Sequence, residues 1–225
     1  LRGVILFCLV CLQVHVYGED GYRLWLRFDR IADATKLREY KESIRAIVVE
    51  STSATGTTIR QEISLALNGL LGETILHEKS IRSNGTILIG TPASSSAVAS
   101  LNLGNQLRTI GDEGYLIFST IVAGKKTIVI SANSDIGLLY GTFHLIRLLQ
   151  TNQRIQNLSI QSSPKIKVRI LNHWDNLDRT VERGYAGFSL WDWHKLPGYI
   201  DPRYKDYARA NASVGINGTV LTNVN

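Results

Sequence analysis

The chain has 225 residues, of which 44% are hydrophobic and 20% are charged, and its formal net charge is +6. This composition supports a buried core, and the length allows one domain and part of a second. The basic residues are dispersed, which argues against a nucleic-acid partner. The only cysteines, Cys8 and Cys11, lie close to the start, so the rest of the chain offers no thiol for a disulfide framework or a thiolate metal site. We expect neither a metal nor a cofactor.

Residues 1–18 have the pattern of a secretory signal peptide. Arg2 precedes an apolar run from Val4 to Leu12, and Gly18 stands near a plausible cleavage site. The run is too short for a retained membrane-spanning helix, although an N-terminal strand or buried helix is the alternative. We therefore expect a secreted, extracellular protein that has no membrane contact after the signal is removed.

Both ends indicate a fragment. The chain starts with Leu1, contains no methionine and stops at Asn225 inside a predicted strand. We expect that its first residue and a large C-terminal portion are missing.

Residues 19–150 predict an α/β domain, because strand-like and helix-like patterns alternate along them. Gly72 is expected to end the second helix, Ser134 to cap the last one, and Gly137 and Gly141 to allow close packing against it. The predicted strands are 23–28, 46–49, 86–89 and a hairpin of 114–118 and 127–130 around Gly124; the predicted helices are 34–43 (or a loop), 58–71, 93–101 and 134–149.

Residues 151–164 are polar, end in Pro164 and predict a linker, after which a second unit occupies 165–225. Its pattern is a strand at 165–171, a long loop, a helix at 203–214 and a strand at 216–224. A crossover helix between two such strands predicts that the strands are parallel. One such unit cannot close a core, so it predicts the start of a barrel or an open sheet.

The loop from Asn172 to Trp193 is the strongest functional signal in the chain. It holds three of the four tryptophans, interleaved with carboxylates and arginines. Aromatic faces beside carboxylates and guanidinium groups suit a sugar ring and its hydroxyl or carboxylate groups. Its place after a strand is typical of a functional loop at a strand's carboxyl end.

Three motifs resemble the α-glucuronidases of glycoside hydrolase family 67. They are Asn-His-Trp-Asp-Asn-Leu-Asp at 172–178, Glu-Arg-Gly-Tyr-Ala-Gly at 182–187 and the stretch 207–218; Thr222 departs from the pattern, where an Asn is usual. The resemblance implies an α/β fold: an N-terminal α/β sandwich-like domain followed by the first βαβ portion of a truncated (β/α)8 TIM barrel.

The resemblance also implies an activity for the full-length protein. Such enzymes release glucuronic acid, or its 4-O-methyl ether, from xylan-derived aldouronic acid oligosaccharides with inversion, which needs two carboxylates. We expect these catalytic residues beyond Asn225 and therefore predict that the fragment is inactive. A homodimer of the full-length protein is left open.

The resemblance assigns four substrate-binding residues. Trp174 is expected to wall the sugar pocket, Glu182 and Arg183 to hold the glucuronate, and Val224 to line the pocket. The residue types agree, because Arg binds carboxylates with two parallel hydrogen bonds and Glu accepts hydrogen bonds from hydroxyl groups. The alternatives are that Trp174 only caps the barrel mouth or the domain interface, and that Glu182 and Arg183 only pair with each other.

Other residues of the loop have structural interpretations. We expect Asp175 and Asp178 to order the loop, Trp191 to pack it against the barrel wall, and His173 to be a structural histidine. Trp193 is expected to pack in the same way as Trp191.

Four Asn-x-Ser/Thr sequons permit N-glycosylation in a secreted eukaryotic protein, at Asn84, Asn157, Asn211 and Asn217.

Two other functions remain open at this stage. One is a fragment of a family 20-like hexosaminidase, which also places an α/β domain before a barrel. The other is a non-catalytic carbohydrate-binding module that uses the Trp-rich loop as its sugar platform.

Overall fold

The computed structural model describes residues 20–221, so the predicted signal peptide and Val224 lie outside the described residues. The elements in that range are the helices α1 (Ala34–Ser43), α2 (Ala54–Leu71), α3 (Ser96–Ala99), α4 (Gly104–Arg108), α5 (Asp135–Gln150) and α6 (Pro202–Ser213), and the strands β1 (Ala46–Glu50), β2 (Leu76–His77), β3 (Thr86–Gly90), β4 (Tyr115–Val122), β5 (Lys125–Ala132), β6 (Ser159–Ser162), β7 (Ile170–Asn172) and β8 (Gly218–Val220).

The N-terminal domain is built on a six-stranded sheet of order β2-β1-β3-β5-β4-β6. The first four strands in this order are parallel, whereas β4 runs antiparallel to both β5 and β6. The strands β1 and β3 are buried nearly throughout, as their continuous apolar runs predict for strands covered on both faces. The α/β class predicted for this domain is confirmed.

Two helices cover one face of this sheet and two short helices cover the other. Side chains of α2 and α5 share a core with Ile47, Ile87 and Ile130, while Leu107 of α4 shares a second core with Val48. Alternate residues of each strand therefore enter opposite cores.

The helix ends follow the predicted signals. The Ser134 hydroxyl accepts a hydrogen bond from the Gly137 N–H at 3.3 Å, which caps α5. Gly72 ends α2 with φ 68°, a left-handed conformation that glycine adopts without a steric penalty.

The glycines of α5 lie where the helix approaches the sheet. A Cβ at Gly137 would overlap the Gly114 carbonyl oxygen and lie 2.7 Å from the Ala132 Cβ. A Cβ at Gly141 would lie 2.7 Å from Cγ2 of Ile130. The predicted close packing is confirmed.

Residues 23–28 are not a strand, so this prediction is wrong. The segment forms a turn, and Leu24 and Phe28 have φ values of 50° and 55°, outside the β region. Leu26 and Phe28 are nevertheless buried in the α2–α5 core. The two edges of the sheet are formed by β2 and β6, so this segment is not one of its strands. Its buried side chains pack against helices instead.

Part of the predicted linker, residues 151–164, is also a strand. Ser159–Ser162 form β6, which pairs with β4 at the edge of the sheet. The polar composition misled the prediction because an edge strand exposes alternate residues: Ser159 and Gln161 are exposed, whereas Ile160 packs on the core. The domain bounds themselves remain predictions.

The second unit has the predicted strand, loop, helix and strand. The strands β7 and β8 are parallel, with Ile170 opposite Gly218 and Asn172 opposite Val220. The strand β7 is shorter than the predicted 165–171 and begins only at Ile170.

Charged side chains fix the second unit to the first. Arg209 of α6 places Nε 2.5 Å and Nη2 3.0 Å from the carboxylate oxygens of Glu62 on α2, and Glu62 is only 4% exposed. The Glu113 carboxylate accepts hydrogen bonds from Arg169 at 2.7 Å and from Asn217 at 3.0 Å. Arg169 directly precedes β7, and Asn217 directly precedes β8. The N-terminal domain therefore holds both strands and the helix of the βαβ unit.

Candidate functional site

The Trp-rich loop connects β7 to α6 and starts at the carboxyl end of a parallel strand. In parallel α/β sheets and barrels this end carries the ligand sites. The His173 N–H bonds the Val220 carbonyl at 3.0 Å, which extends the pairing of β7 and β8 into the first residue of the loop. The loop is therefore anchored at the position where a barrel site is expected.

The first part of the loop is a small hairpin. The Glu182 N–H donates to the Trp174 carbonyl at 2.6 Å, and the Asn176 N–H donates to the Thr180 carbonyl at 2.8 Å. Asp175 and Val181 form the antiparallel bridge between these two pairs. Two predicted substrate-binding residues, Trp174 and Glu182, are thus direct neighbours across the hairpin.

Asp178 orders the turn of this hairpin, as expected. Its Oδ1 accepts hydrogen bonds from the Thr180 hydroxyl at 2.7 Å and from the Thr180 N–H at 2.9 Å. These bonds lower the pKa of Asp178, with the hydroxyl as the largest cause. The carboxylate therefore stays ionised in the turn and is committed to it.

The predicted site residues differ in exposure. The Trp174 side chain is 55% exposed, Arg183 is exposed, and Glu182 is half-buried. Glu182 has φ 53°, the left-handed region that residues with a side chain adopt at a cost.

Glu182 and Arg183 do not brace each other. None of the ion pairs found within residues 20–221 joins them, so the alternative in which they only pair is not what this loop adopts. The carboxylate of Glu182 instead accepts a hydrogen bond from the Tyr185 hydroxyl, which raises the pKa of Tyr185. The Arg183 guanidinium is left on the surface of the loop.

A cluster of aromatic rings packs between the loop and α6. Trp191 is 8% exposed, and its ring centroid lies 4.7 Å from that of Tyr204 and 5.5 Å from that of Tyr207, both on α6. His173 joins the cluster with Nε2 2.6 Å from the Tyr207 hydroxyl. Trp191 thus packs the loop on α6, and the bond between His173 and Tyr207 agrees with the structural histidine that was expected.

Asp175 and Asp192 are buried carboxylates with partners. The Ser189 hydroxyl donates to Asp175, and Asp192 lies 3.1 Å from Arg179 and 3.2 Å from Lys195. Burial opposes ionisation of Asp192, but the hydrogen bond from Lys195 and the charge of Arg179 outweigh it and lower its pKa. Both carboxylates therefore hold the loop together.

Two indole N–H groups near the end of the loop have no hydrogen-bond acceptor among the described residues. The Nε1 atoms of Trp191 and Trp193 are buried, yet neither has an acceptor in the part of the chain that the structure describes. Buried donors normally find an acceptor in a complete fold.

Residues 20–221 contain no group of three His, Cys, Asp or Glu side chains placed to hold a metal ion. In the same range, no helix has both the length and the apolar character needed to span a membrane.

The sequons lie in different surroundings. Asn157 is exposed, Asn84 accepts a hydrogen bond from the Lys126 N–H at 2.8 Å, and Asn211 is half-buried on α6. Asn217 bonds Glu113, the Lys167 carbonyl and the Arg169 N–H. A glycan on Asn217 would require those bonds to break. Glycosylation of the four residues remains a prediction.

Sequence reasoning missed three residues that shape the site. Asn176 holds the hairpin from inside, Tyr207 holds His173, and Ser189 holds Asp175. Asn176 and Tyr207 lie in the motifs at 172–178 and 207–218, and Ser189 lies in the loop itself, but no spacing rule indicates their partners.

An α/β domain that leads into a parallel βαβ unit, with an aromatic and acidic loop after the first strand, is the architecture expected where an α/β domain precedes a (β/α)8 barrel. The comparison with protein families agrees along almost the whole described range. Residues 24–145 match the glycosyl hydrolase family 67 N-terminus and residues 148–225 match the glycosyl hydrolase family 67 middle domain. The chain belongs to glycosyl hydrolase family 67. This membership excludes the family 20 alternative.

Curated relatives carry the name alpha-glucuronidase A. The chain is 28% identical to that of Emericella nidulans over 95% of its length, and 31% identical to a probable alpha-glucuronidase A of Aspergillus oryzae over 100% of its length. It covers 25% and 26% of those proteins, so it spans about a quarter of their length.

A solved structure shares the fold. It is a family GH115 4-O-methyl-alpha-glucuronidase with specificity for decorated arabinogalactans, and it matches 78% of this chain and 25% of its own with a TM-score of 0.53. At 16% identity the likeness concerns the fold alone. It agrees with an N-terminal α/β domain followed by the start of a barrel.

Proposed function

We propose that this chain is the N-terminal quarter of an α-glucuronidase, and that its Trp-rich loop forms one wall of the glucuronate site. The full enzyme would release glucuronic acid or 4-O-methyl-glucuronic acid from xylan-derived aldouronic acid oligosaccharides. The support is family membership, the names of the relatives and the share of their length that the chain covers.

The observation that carries the loop's part in the proposal is the pairing of Trp174 with Glu182. The 2.6 Å bond from the Glu182 N–H to the Trp174 carbonyl pairs the two backbones across the hairpin, and the Trp174 side chain is 55% exposed. An indole stacks on a sugar ring, and a carboxylate accepts hydrogen bonds from the hydroxyl groups of the sugar. Arg183, exposed beside them, is suited to the uronate carboxylate.

The proposed reaction is inverting. One carboxylic acid protonates the leaving oxygen, and a carboxylate about 6.5–9.5 Å away activates water on the other face of the sugar. The carboxylates of Asp175, Asp178 and Asp192 all hold the loop, so they are poor candidates for this chemistry. We therefore assign binding to this chain and catalysis to later barrel strands, which would also supply acceptors for the indoles of Trp191 and Trp193.

Secretion belongs to the proposal as well. Its support is the pattern of residues 1–18, a basic residue followed by a short apolar run.

The activity is tested with aldouronic acids. The 225-residue chain and the longest natural protein that contains it are each incubated with xylan-derived aldouronic acids and with an N-acetylglucosaminide, and the released sugar is measured. We expect glucuronic acid from the longer protein alone, with its anomeric proton in the inverted configuration by NMR.

Two results would contradict this proposal. Glucuronic acid release by the 225-residue chain would place the catalytic carboxylates inside it. A longer protein that binds these oligosaccharides but hydrolyses none of them would favour the non-catalytic binding module instead.

A further inference from the structure

Asn176 lies inside the hairpin and has two hydrogen-bond acceptors. Its Nδ2 donates to the Glu182 carbonyl at 2.6 Å and to the Thr180 hydroxyl at 2.7 Å. A carbonyl oxygen only accepts, so the nitrogen of the amide must face Glu182. Both hydrogens of the amide are therefore used within the hairpin.

Glu182 is held at both of its backbone polar groups. Trp174 accepts from its N–H at 2.6 Å, and Asn176 donates to its carbonyl. These two bonds maintain the left-handed conformation of Glu182, with φ 53°, which costs free energy in a residue with a side chain. Without the bond from Asn176, the carbonyl would lose its partner and the conformation would lose a main support.

The bond to Glu182 is not needed to form the turn. Asp178 orders the turn through Thr180, and the Asn176 N–H bonds the Thr180 carbonyl. The Asn176 side chain also bonds the carbonyl of Glu182, which lies two residues beyond Thr180 and pairs with Trp174. Its distinct effect is therefore on Glu182.

We propose that Asn176 is a positioning residue for glucuronate binding: it fixes Glu182 beside Trp174 without touching the sugar itself. This inference rests on the proposed function of the loop. It extends that function by naming the residue that sets the geometry of the wall.

The test uses Asn176→Asp in the 225-residue chain, with Leu177→Ala as the matched control. The Asp variant keeps the shape of the side chain but replaces the donor by an oxygen that repels the Glu182 carbonyl. Leu177 is adjacent, in the same turn, and 72% exposed. Both variants are compared with the unchanged chain by ¹H–¹⁵N NMR and by titration with D-glucuronate.

We expect the Asp variant to shift the Glu182 amide signal and to weaken glucuronate binding about tenfold, which corresponds to one lost hydrogen bond with its carbonyl left unsatisfied. The indole signal of buried Trp191 should stay in place, which a general loss of structure would not allow. The control should leave the Glu182 signal and the affinity unchanged.

The outcomes separate this inference from the proposed function. If neither the unchanged chain nor the longest natural protein that contains it binds D-glucuronate, the assignment of the loop to the sugar fails, and an unmoved Glu182 amide in the Asp variant would overturn the positioning role as well. If the unchanged chain binds and the Asp variant binds equally well, only the positioning role is overturned.

A milder variant covers the case in which Asn176→Asp does not fold. Asn176→Ala removes the donor without adding a charge, and it leaves the Glu182 carbonyl and the bond between Thr180 and Asp178 in place. We expect a smaller shift of the Glu182 amide signal and a smaller loss of glucuronate affinity than in the Asp variant. A Glu182 amide signal and an affinity identical to those of the unchanged chain would overturn the inference.

Discussion

Glu113 joins the two units of the chain through a single carboxylate. Burial opposes its ionisation, but hydrogen bonds from Asn217 and Arg169 and the charge of Arg169 outweigh burial and lower its pKa below the usual 4.5. In the unfolded chain these partners are absent. The folded state therefore holds the ionised carboxylate more tightly than the unfolded state does.

This pKa shift predicts a stability that depends on pH. Above about 4.5 the carboxylate is ionised in both states and its full contribution is present. As pH falls below that value, the unfolded state takes up the proton first, and the contribution is lost as pH passes through the lowered pKa of the folded state. Urea unfolding of Glu113→Gln should therefore differ most from the unchanged chain near pH 7 and least near pH 3.

The control for this experiment is Asp112→Asn, which changes the exposed carboxylate next in the chain. It should show no comparable convergence with the unchanged chain at low pH. A difference for Glu113→Gln that stays constant from pH 7 to pH 3 would contradict the role assigned to the carboxylate.

Single residues of the loop were predictable where their type and their neighbours in sequence decide the outcome. Asp178 orders the turn through Thr180, two residues on, and such local bonds are typical of Asp in turns. Asn176 was not predictable, because its function depends on the carbonyl of Glu182, whose left-handed conformation no residue type indicates.

At the scale of the elements, α6 is a helix of the second unit that is held by the first. Glu62 on α2 is 95% buried at the side chain, and Arg209 on α6 binds both of its oxygens. Removing one partner of a buried pair leaves the other charge without compensation. The position of α6, and so of the aromatic cluster beneath the loop, depends on this pair.

We expect Glu62→Gln to lower the free energy of unfolding by about 2–3 kcal/mol, at the low end for a broken buried pair because Arg209 is partly exposed and keeps Asp206 at 3.3 Å. Urea unfolding followed by circular dichroism measures it. Glu73→Gln, which breaks the more exposed pair with Lys41, should cost less than about 1 kcal/mol. Equal losses of unfolding free energy in the two variants would show that the buried pair of Glu62 and Arg209 contributes no more than an exposed one.

Elements were predictable where an apolar run is long or a turn residue is specific. The strands at 46–50 and 86–90 and the hairpin around Gly124 follow from such patterns. The segment 23–28 alternates like a strand but packs on helices, and β6 looks like a linker because it is a polar edge strand. Whether a segment meets a sheet or a helix is a tertiary property, which local periodicity does not contain.

For the whole molecule, the sequence contained the order of the two units but not the contacts between them. The pair of Glu62 and Arg209 joins residues that are 147 positions apart, and Glu113 reaches Arg169 and Asn217 across the linker region. These contacts make the α/β domain a platform for the first loop of the barrel. A loop held in this way keeps the backbones of Trp174 and Glu182 paired.

The most direct test of the account is the binding of D-glucuronate to the longest natural protein that contains this chain and to its Trp174→Ala variant, measured by calorimetry with D-glucose as the reference sugar. We expect the unchanged protein to bind glucuronate more tightly than glucose, because Arg183 and Trp174 are exposed on one loop. The variant should lose about tenfold in affinity, in line with one lost stacking contact. Equal binding of the two sugars, or equal affinity of the two proteins for glucuronate, would contradict the assignment of this loop to the sugar.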